Sequence, residues 1–291
     1  KKIIFISDKK IIKNIKKSQS KIKKSSLTNS KIIQQVLRKN KFYKYNGLAI
    51  DSRDVKKENI FLAIKGKNND GNEFIPQAVK RGAKLIVSSK NNKKFKKKII
   101  KVEDEFKFLN KFSFLNRKNS NAKIIAVTGS AGKTSLKNLL KNLLNNFGST
   151  FASPKSFNNS IGVPVSLSNL NINHKFGVFE VGMSKSGEID HLTKKIKPNL
   201  GIITNIGEAH IENFKNIKGI ASAKAEIINN IEENGSIILN RDDKFFNFLY
   251  RKAKSKKIKV ITFGKNNKSD VQFLKQKKNN GANLIHVRVN D

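Results

Sequence analysis

Between residues 123 and 264 the chain repeats one pattern: a short apolar run rich in Ile and Val, then a longer stretch with helical spacing. The runs cover 123–127, "GVFEVG" at 177–182, "LGIITNIG" at 200–207, "SIILN" at 236–240 and "KVITFG" at 259–264. Strands alternating with helices predict a mostly parallel sheet covered on both faces, with ligands at the carboxyl ends of the strands. Ahead of this region, "GLAIDSRDV", "NIFLAIKG" and "AKLIVSS" read as strands, and "FIPQAVKRGA" as a short helix closed by Gly82. "KIIQQVLRK" at 31–39 also has helical spacing, and the final "LIHVRVND" reads as a strand still in progress. A Lys-rich stretch at 90–101 and a polar one at 116–122 bracket a linker zone. The expected organisation is α/β: a low-complexity segment 1–27, a small N-terminal α/β domain 28–120, and a P-loop-type central domain 121–291.

Chemistry enters with "IIAVTGSAGKTSLKNLLKNLL" at 124–144. Thr128, Gly129, Ser130, Ala131, Gly132, Lys133, Thr134 and Ser135 link the first strand of the repeat to a helix. That helix carries Leu136, Leu139, Leu140, Leu143 and Leu144 as an apolar stripe expected to pack on the sheet. Backbone N–H groups of such a loop and the helix N-terminus form an anion cradle. In it Lys133 would reach phosphates and the Thr134 hydroxyl would meet Mg²⁺. The general motif places Gly five residues before Gly132, where this chain has Val127.

Three further residues stand out. Glu180 lies within an apolar strand, where a carboxylate needs a partner, either a salt bridge or a metal ion over the neighbouring loop. His210 follows the carboxyl end of the 200–207 run, a structural or a functional position. Lys224 falls inside the helical stripe of Ile217, Ile220, Ala221, Ala225, Ile228 and Ile231. Its ammonium must snorkel, pair or lose its charge, and a site lysine facing the phosphate loop is the alternative to snorkelling.

Composition changes this picture little. The 291 residues carry a net charge of +40, but 54 of the 61 basic residues are Lys, spread along the whole chain. Arg supplies the planar fork used in base and phosphate recognition, so no specific nucleic-acid partner is expected. No apolar run is long enough for a membrane helix, and no Cys offers a disulfide or thiolate site. A cytoplasmic protein fits. The first residue is not Met, so the chain reads as a piece of a longer protein.

Together the motifs "IDSRDVKKENIFLAIKG", "DGNEFIPQAVKRGA", "SFNNSIGVP", "EVGMSKSGEI", "TNIGEAHIENF" and "AKAEI", in this order, resemble the Mur ligase family of ATP-dependent amide-forming enzymes. The family's phosphate loop also lacks the distant first Gly. The resemblance implies ATP phosphates and a first Mg²⁺ on Lys133 and Thr134, and a second Mg²⁺ on Glu180 and His210. It implies that Lys133, His210 and Lys224 are catalytic, Lys224 aligning with a lysine carbamylated in relatives. Asn240 and Asp242, with Asp243, match a segment lining the nucleotide site. Ser52 and Arg53, with Gly71 and Asn72, match a part that binds a uridine diphosphate precursor, although the family often has His at position 72. Asn158 and Asn159 match a substrate-contacting loop.

Gly182-Met183-Ser184 stands where one branch of the family has Ser-Ser-His. This favours the branch that adds D-alanyl-D-alanine to UDP-N-acetylmuramoyl-tripeptide as a monomer, in peptidoglycan precursor synthesis. A sister ligase adding diaminopimelate or lysine, a folate polyglutamylase and, remotely, a basic nucleic-acid-binding P-loop protein are the alternatives. The family's third domain has no counterpart before residue 291, so these residues alone are expected to turn over little.

Overall fold

A computed structural model describes residues 45–66, 68–279 and 282–289, so the segment 1–27 and the helix expected over 31–39 lie outside the described residues. The chain divides into two compact units, Lys1–Phe108 and Leu109–Asp291.

In the first unit β1 (Leu48–Ala49), β2 (Ile60–Leu62), β3 (Leu85–Ser88) and β4 (Ile99–Lys101) form a parallel sheet in that order. Helix α1 (Ile75–Lys80) packs on it, and Ala49, Val55, Phe61, Ala63, Ile75, Ala78, Ala83 and Ile86 make the core. Gly71 opens the turn into α1, where a Cβ would lie 2.6 Å from the Ile64 carbonyl oxygen. Only glycine lets the two backbones approach this closely.

The zone read as a linker is structured. It holds β4 and a 15-residue helix, α2 (Glu105–Asn119). The Phe and Leu residues of "EFKFLNKFSFLNRKN" are interleaved with polar ones, and Phe108, Leu109 and Phe112 are buried. The end of α2 is tied into the second unit: the buried Asn116 amide donates to the carbonyls of Leu167 (2.8 Å) and Leu170 (2.9 Å). Arg117 donates to the carbonyls of Ile196 (2.6 Å) and Lys197 (2.9 Å).

The second unit runs through β5 (Lys123–Thr128), α3 (Lys133–Leu144), β6 (Thr150–Ala152), α4 (Gly162–Ser168), β7 (Phe176–Glu180) and α5 (Glu188–Ile196). It continues with β8 (Leu200–Ile203), α6 (Ile217–Lys224), β9 (Ser236–Asn240), α7 (Phe246–Ser255), β10 (Lys259–Gly264), β11 (Val271–Asn279) and β12 (Ala282–Val289). The sheet order is β12-β11-β10-β9-β8-β5-β7-β6, parallel except between β11 and β12.

Central strands buried on both faces read as continuous apolar runs, and β5 shows why. Ile124 and Ala126 point into the larger core with α4, α5, α6 and α7, while Ile125 and Val127 face the smaller one beneath α3. The chain leaves β5 for β6 and β7 on one side, then crosses to β8, β9 and β10 on the other. That reversal places the carboxyl end of β5 at a topological switch point.

Replacing Asn116 with Ala strands the Leu170 carbonyl and takes one donor from that of Leu167, which keeps its backbone partners. Urea unfolding should show a loss of about 1–3 kcal/mol, and a change below about 0.5 kcal/mol would mean that the side chain does not tie α2 to the second unit.

Candidate active site

The loop from Thr128 to Lys133 turns off β5 in a conformation that glycine permits. Gly129 has φ 148°, and a Cβ there would lie 1.8 Å from the Thr204 hydroxyl oxygen. Gly132, at φ 79°, is the N-cap of α3, and the first helical bond runs from Leu136 N–H to the Gly132 carbonyl. The N–H groups of the first turn, from Lys133 through Thr134 and Ser135, therefore point out of the helix end as anion donors. Thr128 is fully buried beneath the loop, and Ser130 and Ala131 form its crest.

The neighbours of β5 bring their carboxyl ends to this loop. From β7 comes Glu180, 2% exposed. Its carboxylate accepts from the Thr134 hydroxyl (2.8 Å) and the Asn158 amide (2.8 Å), and it lies 3.4 Å from the Lys137 ammonium. From β8 comes the segment Thr204–His210, which grips Ser130 and Ala131.

Lys137 is a functional candidate that sequence reading missed. It is 1% exposed, and besides Glu180 it donates to the Lys155 carbonyl at 2.5 Å. Its burial also corrects the expected leucine stripe. The inner face of α3 is Leu136, Leu140 and Leu144 with Lys137, while Leu139 and Leu143 are about half exposed (54% and 51%). The strand carboxylate turns the helix so that a lysine, rather than two leucines, faces inward. A Lys one turn after Lys133 and a Glu within an apolar strand were the available signals.

A cavity of about 620 Å³ opens beside the loop. Lys133, Asn158, Asn159, His210 and Lys224 line it, with the 182–188 turn and His191 opposite. Lys133 donates to the Gly129 carbonyl at 2.7 Å, and burial lowers its pKa, partly offset by the Glu180 charge. Lys224 is 2% exposed and does not snorkel. Burial first, and the Lys133 charge second, push its pKa down to about 8. A half-buried and a buried ammonium group beside a helix N-terminus make a pocket that favours an anion.

Glu226, two residues after Lys224, holds the opposite wall. Its carboxylate accepts from Gly187 N–H (2.7 Å), Asp190 N–H (3.1 Å) and the Ser186 hydroxyl (3.1 Å) at the start of α5. His210 adopts φ 63° and is half exposed, its Nδ1 3.9 Å from a Glu212 carboxylate oxygen. Among the described residues no group of three or more His, Asp or Glu forms a ready metal cluster. Thr134 and Glu180 nevertheless put two hard oxygen donors beside the phosphate cradle. That suits Mg²⁺, which takes one or two protein oxygens and completes its shell from phosphates and water.

Asn240 and Asp242 do not line the cavity. Asn240 accepts from Asp242 N–H, and the Asp242 carboxylate accepts from the N–H groups of Lys265 (2.5 Å) and Asn266 (3.0 Å), holding the turn after β10. Asp243 does reach the site's frame, accepting from Ile206 N–H at 2.8 Å. In the first unit the Ser52 hydroxyl donates to Gln77 on α1 (2.6 Å), and Arg53 pairs with Asp51 at 2.7 Å. Asn72 accepts from the Ser88 hydroxyl (2.5 Å) and donates to Asp70 (2.7 Å). Asp70 is held well below the usual carboxylate range by Lys90 and Asn72.

Removing one partner of a buried ion pair leaves an uncompensated charge, so Lys137→Met should cost about 3–5 kcal/mol in urea unfolding at pH 7. Adding Glu180→Gln should recover part of that loss, and a loss in the double variant equal to the sum of the two single losses would show that the pair is not coupled. Lys224 should leave a trace in the pH dependence of stability. Between its folded pKa of about 8 and the ordinary 10.5, the unfolded chain holds a proton that the folded chain lacks. Its contribution to stability therefore rises with pH across that window. Lys224→Met should remove this rise, as read from thermal midpoints of both proteins across the window.

The chain matches the description "Mur ligase middle domain" over residues 127–290 and "Mur ligase family, catalytic domain" over residues 44–113. It is 38% identical over 231 residues to the UDP-N-acetylmuramoyl-tripeptide–D-alanyl-D-alanine ligase of Rickettsia prowazekii, covering 79% of this chain and 51% of that one. It is 30% identical over 268 residues to the Bacillus subtilis protein of the same name, covering 91% and 56%. Solved structures agree. A MurF crystal structure from Acinetobacter baumannii superposes with a TM-score of 0.70 at 30% identity, covering 83% of this chain and 52% of that one. MurF from Thermotoga maritima, in complex with ADP, gives 0.69 at 29%, covering 86% and 57%. The chain thus spans about half the length of the curated relatives it matches. Sequence matches across both units, and a phosphate loop built where those matches require it, make this chain a member of the Mur ligase family.

Proposed function

We propose that this chain belongs to an ATP-dependent ligase that joins D-alanyl-D-alanine to UDP-N-acetylmuramoyl-tripeptide in the cytoplasm, as a monomer. The observation that carries the reading is the pair of cavity-lining lysines, half-buried Lys133 and buried Lys224, at the N-terminus of α3, with Thr134 and Glu180 beside them. The names of the relatives at 30–38% identity support the choice of substrates. No described helix is long and apolar enough to cross a membrane.

In this reading the ATP phosphates lie on residues 128–135, with Lys133 exchanging the Gly129 carbonyl for a phosphate oxygen. Asn240 and Asp242 belong to the nucleotide side, and Asn158 and Asn159 to the peptide substrate. Ser52, Arg53, Gly71 and Asn72 hold the uridine diphosphate end. A terminal carboxylate oxygen of the tripeptide attacks the γ-phosphorus and ADP departs, leaving an acyl phosphate. The amine then attacks the acyl carbon, inorganic phosphate leaves, and the amide remains.

The chain's part is positioning and charge neutralisation, since phosphoryl transfer gathers negative charge in one place. Mg²⁺, held at Thr134 and Glu180, with a second ion at Glu180 and His210, would neutralise phosphate charge when bound. Lys224, about half neutral near pH 8, is poised to add to CO₂. The ammonium gives one proton to solvent, the neutral amine forms a nitrogen–carbon bond to CO₂ and loses a second proton, and a carbamate anion results.

The test follows phosphate release from ATP by the full-length protein with UDP-muramyl-tripeptide, adding D-Ala-D-Ala, diaminopimelate, lysine, glutamate or single-stranded DNA in turn. Release should need both the tripeptide and D-Ala-D-Ala. Lys133→Ala should slow it by about 10²–10³. Release with another amine would move the protein to a sister ligase or a folate-type polyglutamylase, and release driven only by DNA would overturn the ligase reading.

A further inference from the structure

The segment after β8 makes several hydrogen bonds to the phosphate loop, and they converge on Ser130 and Ala131. Asn205 Oδ1 accepts from both Ser130 N–H (3.1 Å) and Ala131 N–H (3.0 Å), and the Asn205 carbonyl accepts a second time from Ser130 N–H at 3.1 Å. Thr204 donates its hydroxyl to the Ala131 carbonyl at 2.6 Å. Ser130 and Gly207 close a reciprocal pair: the Ser130 hydroxyl donates to the Gly207 carbonyl (2.9 Å) and accepts from Gly207 N–H (2.8 Å). Behind them, Asp243 accepts from Ile206 N–H, anchoring the gripping segment to the start of α7.

Three of the four backbone polar groups of the loop crest, the N–H groups of Ser130 and Ala131 and the Ala131 carbonyl, are thus bonded to 204–207, while the Ser130 carbonyl faces the Lys133 ammonium at 3.5 Å. The N–H groups of the next residues, Lys133 to Ser135, are left to the open helix end. A flexible glycine-bounded loop would otherwise satisfy the crest N–H groups with water or with its own side chains. Such a loop would pay ordering entropy each time a phosphate bound. The same short segment also carries His210, so one piece of backbone sets the loop crest and the cavity-lining imidazole together.

We infer that Asn205 is a positioning residue for phosphoryl transfer. Its carboxamide holds the crest of the phosphate loop in the phosphate-binding shape before the nucleotide arrives, and Thr204 acts with it through the Ala131 carbonyl. The inference rests on the nucleotide reading of this site and adds a residue and a mechanism to it: pre-organisation from outside the loop.

The test is a double-variant cycle on Asn205→Ala and Thr204→Val, in the full-length protein, with two readouts. The first needs no ligand: hydrogen exchange at the Ser130 and Ala131 amides. Both should be protected in the parent, and Ala131 should exchange at least about tenfold faster in Asn205→Ala, since it loses the side-chain acceptor, whereas Ser130 keeps the Asn205 backbone carbonyl and should change less. The second is Mg·ADP affinity by calorimetry. Asn205→Ala should weaken it about tenfold and Thr204→Val about threefold, with the double variant no weaker than Asn205→Ala by more than about twofold.

Unprotected parent amides, or an Asn205→Ala affinity within about twofold of the parent, would overturn the inference, as would additive effects in the double variant. Should Asn205→Ala fail to fold, Thr204→Val, which is near-isosteric, decides by itself: an affinity within about twofold of the parent overturns the inference. A parent with protected amides but no ADP binding would instead refute the nucleotide reading while leaving the clamp in place.

Discussion

A carboxylate at the inner end of a parallel strand is costly to bury unless cations and donors surround it. Glu180 is that carboxylate, and the second unit is arranged around it. It draws in the Thr134 hydroxyl from the phosphate loop, the Lys137 ammonium from the next turn of α3, and the Asn158 amide from the loop before α4. The first turns of α3 and the loop at Asn158 therefore share the charge of a strand far from both in sequence. The geometry of the helix end, and hence of its N–H groups, follows from satisfying that charge rather than from the leucines of α3.

The sheet order explains why these partners can meet. β5 sits between β7 and β8, so the loop after β5 is flanked by Glu180 on one side and by Thr204–His210 on the other. One flank supplies the carboxylate that anchors the helix, and the other supplies the peptide clamp that shapes the crest. A phosphate loop between two edges of fixed structure has little freedom left to lose when it binds. Catalysis by charge neutralisation needs that rigidity, since donors that move to follow the charge give back part of what they stabilise.

Strands β5 and β7–β10 were legible as apolar runs, whereas the three-residue β6 was not expected, and the loop was legible because glycine at 129 and 132 has few other uses. Glu180 and Lys224 were visible as charges in apolar patterns, and both are buried as that pattern implied. The helix α2 was not legible: frequent Lys and Asn among its Phe residues imitate a linker, and only Asn116 and Arg117, bonded to carbonyls some fifty to eighty residues away, reveal it. Lys137 was hidden for a similar reason. In a chain with 54 lysines one more on a helix looks solvated, and its partner lies on another strand. Asn205 gave no signal of its own, because bonds to backbone N–H groups have no counterpart in a one-dimensional pattern.

That contrast bears on the charge of +40. Exposed lysines are screened by water and salt and carry little energy individually. Lys133, Lys137 and Lys224 are few, but removal from water makes each count, and each is set against a different group: a loop carbonyl, a carboxylate, and the other site lysine. Lys137 is neutralised by Glu180, whereas Lys133 and Lys224 repel each other across the cavity. Lys133, only partly offset by Glu180, and Lys224 face the open helix N-terminus, so the field that matters is local and positive, and a polyanion entering there relieves a repulsion built into the fold. The surplus on the surface could change with little effect on this site, since it lies outside the low-dielectric region where those three charges interact.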